Sequence, residues 1–230
     1  MATAKYLPQV EAVIKAFLLL ISLVLSGHSM AVAQASSDTV GAELAARFSA
    51  VESWSGEFEQ LLVDINGREQ ERVTGRFALQ QPNLIDWHYD EPLNQRLVSD
   101  GTSLWFYDRD LEQVTVRAVA DLLDQSPAAI LLGRLPAAQA YTFSFTEQQR
   151  ADGALVERYT MARNGAGDLS VLGQIEELRI DWSADRLLAL QVTDNFGQQT
   201  TVNFHRLQRN IQLPTSQFRF DLPQGVEIVR

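Results

Sequence analysis

Beyond its first fifty residues, most of the chain alternates apolar and polar residues with a period of two, and turn signals interrupt the alternation. Trp54, Phe58 and Leu62 fall on one side of such a segment, and the dipeptide Asn66-Gly67 follows it. Alternation of this kind predicts a strand with one buried face, and Asn-Gly is a strong signal for a tight hairpin. The sequence therefore predicts an antiparallel sheet in which consecutive strands pair.

A sheet of this size has to curve. An open sheet of about eleven strands curls or splits rather than staying flat. We therefore predict a mainly β (α+β) fold with one strongly curved antiparallel sheet. The predicted strands are, in chain order, Trp54–Leu62, Arg72–Leu79, Leu84–Tyr89, Asn94–Ser99, Ser103–Tyr107, Gln113–Arg117, Tyr141–Glu147, Leu155–Met161, Gln174–Trp182, Leu187–Asp194 and Gln199–Arg209.

Two segments depart from this alternation and favour short helices. The first is Asp38–Ala50, with Asp38 as its expected N-cap. The second is Ala128–Leu132, which follows Pro127 and which Gly133 can end. We expect these helices on the concave side of the sheet. The apolar stripe of the first helix consists of Val40, Leu44, Ala45 and Phe48.

The N-terminal segment has the three parts of a secretory signal peptide. A lysine precedes the apolar run Ala16–Leu25, and small residues at 31–33 and 33–35 form A-x-A sites. The run is too short to span a bilayer, which needs about 20 apolar residues. We therefore expect residues 1–35 to be cleaved and residues 36–230 to form a single domain in the periplasm.

Composition excludes several classes of function. The chain has no cysteine, which excludes disulfides, Cys-ligated metal sites and a lipid anchor on an N-terminal cysteine. Its formal net charge of −10 opposes binding to nucleic acids and to anionic lipid surfaces. We therefore expect a soluble protein with no nucleic-acid partner.

No catalytic motif stands out in the sequence. No HExxH, GxSxG, P-loop or GxGxxG stretch occurs, so we predict no catalytic residue, metal or cofactor. Of the two histidines after residue 35, we expect His88 to be partly buried and structural, and His205 to lie on the surface. The candidate carboxylate pairs are Asp108 with Asp110, in a predicted turn, and Glu176 with Glu177. The tryptophans, which either fill the core or line an apolar cavity, are Trp54, Trp87, Trp105 and Trp182.

Seven short segments carry patterns more specific than alternation. The most specific, Val98–Asp108, reads Val-Ser-Asp-Gly-Thr-Ser-Leu-Trp-Phe-Tyr-Asp. The others are Trp54–Gln60, Pro82–Tyr89, Glu91-Pro92, Leu111–Val116, Pro127–Leu132 and Phe218–Val226. Together these segments resemble the LolA family of outer-membrane lipoprotein carriers over nearly the whole chain after residue 35.

The resemblance implies an incomplete β-barrel whose short helices form a lid over an apolar cavity. It also implies a monomeric periplasmic carrier that takes acylated lipoproteins from the inner-membrane ABC exporter LolCDE and delivers them to the receptor LolB. LolB has a similar barrel but is itself a lipoprotein, and a chain without cysteine cannot be acylated in that way. The carrier is therefore the expected member. The alternative is a LolA-like carrier of another acylated ligand, such as a fatty-acyl or glycolipid intermediate.

Strand parity and the resemblance together give a set of expected lipid-binding residues. Parity alone does not say which face of the sheet is concave. From the strands the set comprises Phe58, Phe77, Leu79, Ile85, Trp87, Leu97, Leu104, Phe106, Phe143, Ile180, Trp182 and Leu190. From the lid it comprises Leu122, Leu123, Ile130, Leu131 and Leu132.

One position departs from the family pattern. The resemblance implies Lys-Arg before the matched Pro82, with the arginine holding the lid shut through bonds to helix backbone, but this chain has Gln80 and Gln81. A glutamine amide still donates to a carbonyl, although without charge assistance, so Gln81 is the expected and weaker lid latch.

A third interpretation, a lipid hydrolase, would need a base inside the barrel, and His88 is its candidate.

Overall fold

The computed structural model describes residues 36–119, 127–135, 140–165 and 175–229 of the chain. Helix α1 is Ser37–Ser49, helix α2 is Pro127–Leu131, and a 3₁₀ helix covers Thr215–Phe218. The strands are β1 Ser53–Val63, β2 Glu69–Gln80, β3 Leu84–Tyr89, β4 Gln95–Asp100, β5 Ser103–Asp108, β6 Gln113–Ala118, β7 Tyr141–Gln149, β8 Leu155–Arg163, β9 Ile175–Ser183, β10 Arg186–Asp194, β11 Gln199–Arg209 and β12 Glu227–Val229.

The strands form one 12-stranded sheet in the order β12-β6-β5-β4-β3-β2-β1-β11-β10-β9-β8-β7. Neighbouring strands are antiparallel, except that β12 is parallel to β6. Two meanders, β1 to β6 and β7 to β11, meet where β1 pairs with β11. In the described sheet the outer strands β12 and β7 are not neighbours, so the curled sheet stays open. The predicted mainly β fold with an incomplete antiparallel barrel is confirmed.

The predicted strands agree with β1 to β11 to within a few residues at their ends. Asn66-Gly67 lies in the turn between β1 and β2, as predicted. Gln174, the predicted start of β9, lies outside the described residues. The sequence reasoning missed β12, because three residues are too few to show an alternation.

Helix α1 begins slightly earlier than predicted. Its N-cap is Ser36, whose Oγ accepts from the Thr39 backbone N–H at 3.3 Å, so the prediction of Asp38 was wrong. Asp38 lies inside the first turn, where a carboxylate interacts favourably with the helix dipole. Of the predicted stripe, Val40, Leu44 and Phe48 are buried, but Ala45 is exposed.

The buried side chains of α1 and α2 pack against one face of the sheet. We call this face the inner face. The buried residues of this face and of the two helices together are called the inner cluster. The helical members include Val40, Leu44, Phe48 and Ala129–Leu132, and the strand members include Trp54, Phe58, Trp87 and Trp182. Both helices therefore cover the same face of the sheet. Within the described stretches, no helix is long and apolar enough to cross a membrane.

The chain after β11 covers the opposite, outer face of β3 to β6. Phe218 of the 3₁₀ helix is buried, and the 3₁₀ helix contacts β3 and β4. Phe220 stacks on Trp105 with ring centroids 6.1 Å apart and meets Tyr107 edge-on at 5.8 Å. Val98 is also fully buried without belonging to the inner cluster. The sheet is therefore apolar on both faces here.

Candidate functional site

Cross-strand pairing places the predicted residues of β1 to β5 on the inner face. Phe77 of β2 pairs with Trp87 of β3, Trp87 with Leu97 of β4, and Leu97 with Phe106 of β5. Directly paired residues lie on the same face of a sheet. Leu97 and Phe106 are half-buried, whereas the remaining predicted residues of these strands are buried, namely Phe58, Phe77, Leu79, Ile85, Trp87 and Leu104.

The predicted residues of the other meander lie on the same face. Leu190 of β10 pairs with Ile180 of β9, which pairs with Tyr159 of β8. Phe143 and Trp182 are buried members of the inner cluster as well. Sequence reasoning missed further inner residues of these strands, among them Tyr141, Tyr159, Met161, Leu178, Leu187, Val202 and Phe204.

Four aromatic rings form a continuous stack on the inner face. The Trp87 ring centroid lies 4.9 Å from that of Phe77, nearly parallel to it, and 4.6 Å from that of Phe58. Tyr89 meets Phe58 edge-on at 5.4 Å. Burial raises the pKa of Tyr89 to about 12, so its hydroxyl is neutral at physiological pH. The four rings give this half of the interior an aromatic, uncharged wall.

Gly75 makes room for the Phe58 ring. The two residues pair directly between β1 and β2. A Cβ on Gly75 would lie 2.6 Å from the Phe58 ring and 2.0 Å from the His88 carbonyl oxygen, which is too close for any side chain. The absence of a side chain at Gly75 therefore leaves the space that the Phe58 ring occupies beside β2.

Helix α2 covers the inner face near the start of β1. The predicted lid residues Ile130, Leu131 and Leu132 are buried. Gly133 ends the helix with φ +79°, and its N–H donates to the Ile130 carbonyl at 2.9 Å, while the next N–H donates to the Ala129 carbonyl. The prediction that Gly133 ends this helix is confirmed. The other predicted lid residues, Leu122 and Leu123, lie outside the described residues.

Polar contacts to the sheet fasten α2. The buried indole N–H of Trp54 donates to the Leu131 carbonyl at 2.9 Å, which supplies a donor for one of the free carbonyls at the helix C-terminus. Arg134 donates to the Asn83 side-chain oxygen at 2.5 Å, at the start of β3. The C-terminal end of α2 is thus tied to two strands of the first meander.

Gln81 lies next to the C-terminal end of α1. Its side-chain N–H₂ group donates to the Val51 carbonyl at 2.9 Å and, more weakly, to the Phe48 carbonyl at 3.4 Å. The predicted latch residue therefore does contact helix backbone, but the helix is α1 rather than the lid segment that contains Ile130.

A second set of contacts joins α1 to the other meander. Arg47 forms an ion pair with Glu157 of β8 at 2.6 Å, and its guanidinium lies 5.2 Å from the Tyr159 ring centroid and 5.5 Å from that of Trp182. The Tyr159 hydroxyl donates to Glu43 at 2.5 Å. Burial and this hydrogen bond raise the pKa of Tyr159 well above its usual range. Helix α1 therefore bridges the two halves of the sheet.

The two histidines after residue 35, His88 and His205, lie away from the inner face. Because Trp87 faces inward, His88 faces outward, where it pairs with Arg76 and Arg96. Burial and the nearby Arg76 lower the pKa of His88, so it is neutral at pH 7. His205 is exposed, as predicted. The hydrolase interpretation needed His88 inside the barrel, so the structure removes its candidate base.

The candidate carboxylate pairs serve local structure. Asp108 accepts from the backbone N–H groups of Asp110 and Leu111 at 3.1 and 3.0 Å, as expected of an aspartate in a turn. Glu176 and Glu177 form ion pairs with Arg163 and Arg179. Among the described residues, no group of three or more His, Asp or Glu side chains could hold a metal ion.

Comparison with known proteins agrees with this geometry. The family model described as outer membrane lipoprotein carrier protein LolA matches residues 49–221. The chain belongs to the LolA family. The outer-membrane lipoprotein carrier protein of Methylobacillus flagellatus is 33% identical over 187 residues, covering 81% of this chain and 86% of that protein. The one from Alkalilimnicola ehrlichii is 33% identical over 215 residues, covering 93% and 94%.

A solved structure shares the fold at low sequence identity. An uncharacterized conserved protein from Thermus thermophilus matches with a TM-score of 0.54 and 14% identity, covering 83% of this chain and 98% of that chain. At this identity the likeness supports the architecture only. The assignment to the LolA family therefore rests on the family model and on the relatives with the higher identities.

Proposed function

We propose that this chain is a periplasmic carrier that accepts acylated lipoproteins from the inner-membrane exporter LolCDE and delivers them to the outer-membrane receptor LolB. The observation that carries the proposal is the continuous apolar inner face beneath α1 and α2, with Phe58, Phe77 and Trp87 at its centre. The names of the relatives, outer-membrane lipoprotein carrier proteins, support the same activity.

The apolar inner face matches the energetic problem of such a cargo. Burying one CH₂ group contributes about 0.8 kcal/mol. The free-energy cost of exposing three acyl chains of about 15 carbons each to water is therefore roughly 36 kcal/mol. A carrier has to cover these chains and still release them. The aromatic stack around Trp87 and the aliphatic residues near it offer that cover.

Release without nucleotide hydrolysis needs a cover that opens at low cost. Helix α2 has five residues and is tied to β1 through one indole hydrogen bond, from Trp54 to Leu131. Helices this short are not stable alone, so α2 depends on what its apolar side chains contact. In this proposal, acyl chains displace Ile130 and Leu131 from the inner face, and the helix returns when the cargo leaves.

The remaining parts of the proposal concern location and state. Residues 1–35 are the signal peptide, and residues 36–230 act in the periplasm as a monomeric domain. Carriage involves no catalytic residue and no cofactor. The acidic net charge of −10 favours a protein that stays off anionic membrane surfaces between its two partners.

The decisive experiment measures release of cargo. The protein from Ser36 onward is added to spheroplasts that hold newly made outer-membrane lipoprotein. We expect the lipoprotein to appear in the supernatant as a one-to-one complex, and addition of LolB-containing outer membranes should then empty the complex. Release no greater than that into buffer alone, from a folded protein, would contradict the proposal.

A substitution on the inner face tests the site within the same assay. Ile85→Glu places a carboxylate on the buried, mainly apolar inner face, and acyl chains would have to desolvate it. We expect cargo release to fall at least about tenfold, by the energetic cost of an unpaired charge. Gln148→Glu, at an exposed position of β7, is the matched control and should release cargo normally. Equal release by both variants would remove Ile85 from the lipid-binding face.

One observation keeps a second cargo in view. Gln81 stands where the family pattern has an arginine, and it binds the Val51 and Phe48 carbonyls without charge assistance. A weaker latch suits a cargo with fewer or shorter acyl chains, such as a fatty-acyl or glycolipid intermediate. Mass spectrometry of the ligand that copurifies with the periplasmic protein distinguishes the two cargoes.

A further inference from the structure

Strands β10 and β11 separate at one end of the sheet. They pair from Thr193 opposite Gln199 up to Ala189 opposite Asn203. Beyond that point β10 still runs back to Arg186, and β11 continues to Arg209 along β1. In the described sheet, the residues of β10 before Ala189 and those of β11 after Asn203 are therefore not paired with each other.

Two bulges in the flanking strand pairs account for the separation. The register of β10 against β9 shifts between Leu187 and Ala189, and the register of β1 against β11 shifts between Ser55 and Glu57. The second bulge contains Arg206, whose φ of +48° is unusual for a residue with a side chain. A bulge bends its own strand and ends regular pairing. The gap is thus built into the sheet by both strands.

A cleft of about 400 Å³ lies in this gap, and we call it the seam cleft. Apolar lining comes from Leu207 and from Trp54, which is 1% exposed and belongs to the inner cluster. Arg186 of β10 and Arg209 of β11 also line the seam cleft, and Arg209 forms an ion pair with Asp185 at 2.8 Å. The seam cleft therefore adjoins both solvent and the apolar interior.

The residue between the seam cleft and the interior also holds the lid. Trp54 lines the cleft and donates its indole N–H to the Leu131 carbonyl of α2. If α2 left the inner face, the indole would lose this partner, and only the Trp54 side chain would separate the seam cleft from the space that α2 occupied, so a turn of that side chain would join the two. A path from the interior to the surface would therefore open beside the lid.

We propose that the polypeptide segment immediately after the acylated residue of the cargo leaves the interior through the seam cleft and pairs with the free edges of β10 and β11. This inference rests on the proposed carrier function. A lipoprotein joins acyl chains directly to peptide, so its first residues must pass from an apolar interior to water with their backbone groups bonded. The backbone of Arg186 and of His205–Arg209, where most side chains are exposed, offers such bonds.

Pairing through backbone groups also fits the range of cargo that a carrier handles. Strand addition at a free edge forms hydrogen bonds with the main chain of a peptide and depends little on its side chains. The other end of the same two strands offers no such place, because β10 and β11 remain paired up to the turn that contains Asn195. That turn therefore provides a matched control position.

Spin labels test the path of the peptide. Because the chain has no cysteine, single substitutions Gln208→Cys, Arg186→Cys and Asn195→Cys each give one labelled site, and all three positions are exposed. The probe is a synthetic triacylated peptide with a nitroxide at its third residue, bound to the protein from Ser36 onward. We expect strong dipolar broadening with the labels at 208 and 186, and little with the label at 195.

The outcomes separate this inference from the proposed function. If a soluble complex forms but the label at 195 is broadened as much as the labels at 186 and 208, the seam path is overturned and the carrier function is not. The same conclusion follows if a soluble complex forms and none of the three labels is broadened. A triacylated peptide that the protein does not keep in solution overturns both. Moving the nitroxide to the twelfth residue of the peptide should remove the broadening at 186 and 208, and persistent broadening would likewise overturn the path.

Discussion

Gly75 has space for a hydrogen atom and for nothing larger. In Gly75→Ala, the new methyl group would meet the His88 carbonyl at 2.0 Å and the Phe58 ring at 2.6 Å, so β2 or the aromatic stack must shift. We expect the free energy of unfolding to fall by about 3 kcal/mol, the upper end of typical overpacking costs. Urea unfolding measures this change. Arg76→Ala, at the next and exposed position, is the control, and an equal midpoint for both would contradict the packing argument.

Gln81 gives a second prediction at the scale of one residue. An arginine here would donate to the Val51 and Phe48 carbonyls with a charged group, which contributes about 1 kcal/mol more than a neutral amide. We expect Gln81→Arg to slow uptake of a fluorescent acyl probe by about fivefold. Gln80→Arg, one residue earlier and still a glutamine replaced by arginine, should leave uptake unchanged. Identical kinetics for the two variants would mean that position 81 is not a latch.

Among the elements, α2 is the one that a small change should release. Trp54→Phe keeps an aromatic ring, although a smaller one, but leaves the buried Leu131 carbonyl without its donor, which costs about 1–3 kcal/mol. We expect the free energy of unfolding to fall by about 1–2 kcal/mol and acyl uptake to become about tenfold faster, because the closed state alone loses the bond. Stopped-flow uptake with unfolding curves measures both effects.

Trp105→Phe is the matched control for this element, because Trp105 stacks on Phe220 across the outer face. It should leave uptake at the rate of the unchanged protein. If Trp54→Phe also left uptake unchanged while destabilising the fold, α2 would be a fixed part of the core. The lid would then have to lie elsewhere.

At the scale of the whole molecule, the two faces of the sheet serve separate purposes. Phe218 is buried on the outer face, away from the inner cluster. We expect Phe218→Ala to lower the free energy of unfolding by about 3–5 kcal/mol, as a large cavity does, and to leave acyl uptake unchanged in the cold, where the variant is folded. Thermal unfolding and uptake at low temperature check the two halves of this prediction. Loss of uptake in the folded variant would mean that the outer face also contributes to the site.

Much of the sheet could be predicted because one apolar face leaves a clear alternation. Ile85 and Trp87 were predicted to share a face for that reason, and both lie on the inner face. The run Leu104-Trp105-Phe106-Tyr107 carries no such signal, because the C-terminal segment buries its outer face as well. The partners of Gln81 and Arg47 depend on how α1 crosses the sheet, which local patterns do not encode. The lipid-binding and latch assignments stay predictions.

The pairing of β1 with β11 has a consequence for biogenesis. Each meander consists of neighbours along the chain, but the contact that unites them joins nearly the first strand to nearly the last. Contacts between distant parts of a chain form late, after the cost of closing the loop between them. If the chain crosses a membrane N-terminus first, the edge of β1 that pairs with β11 would stay uncovered until β11 followed. A carrier that shields other proteins' apolar groups would thus need shielding itself before it is complete, and slowed translocation should direct it to periplasmic proteases.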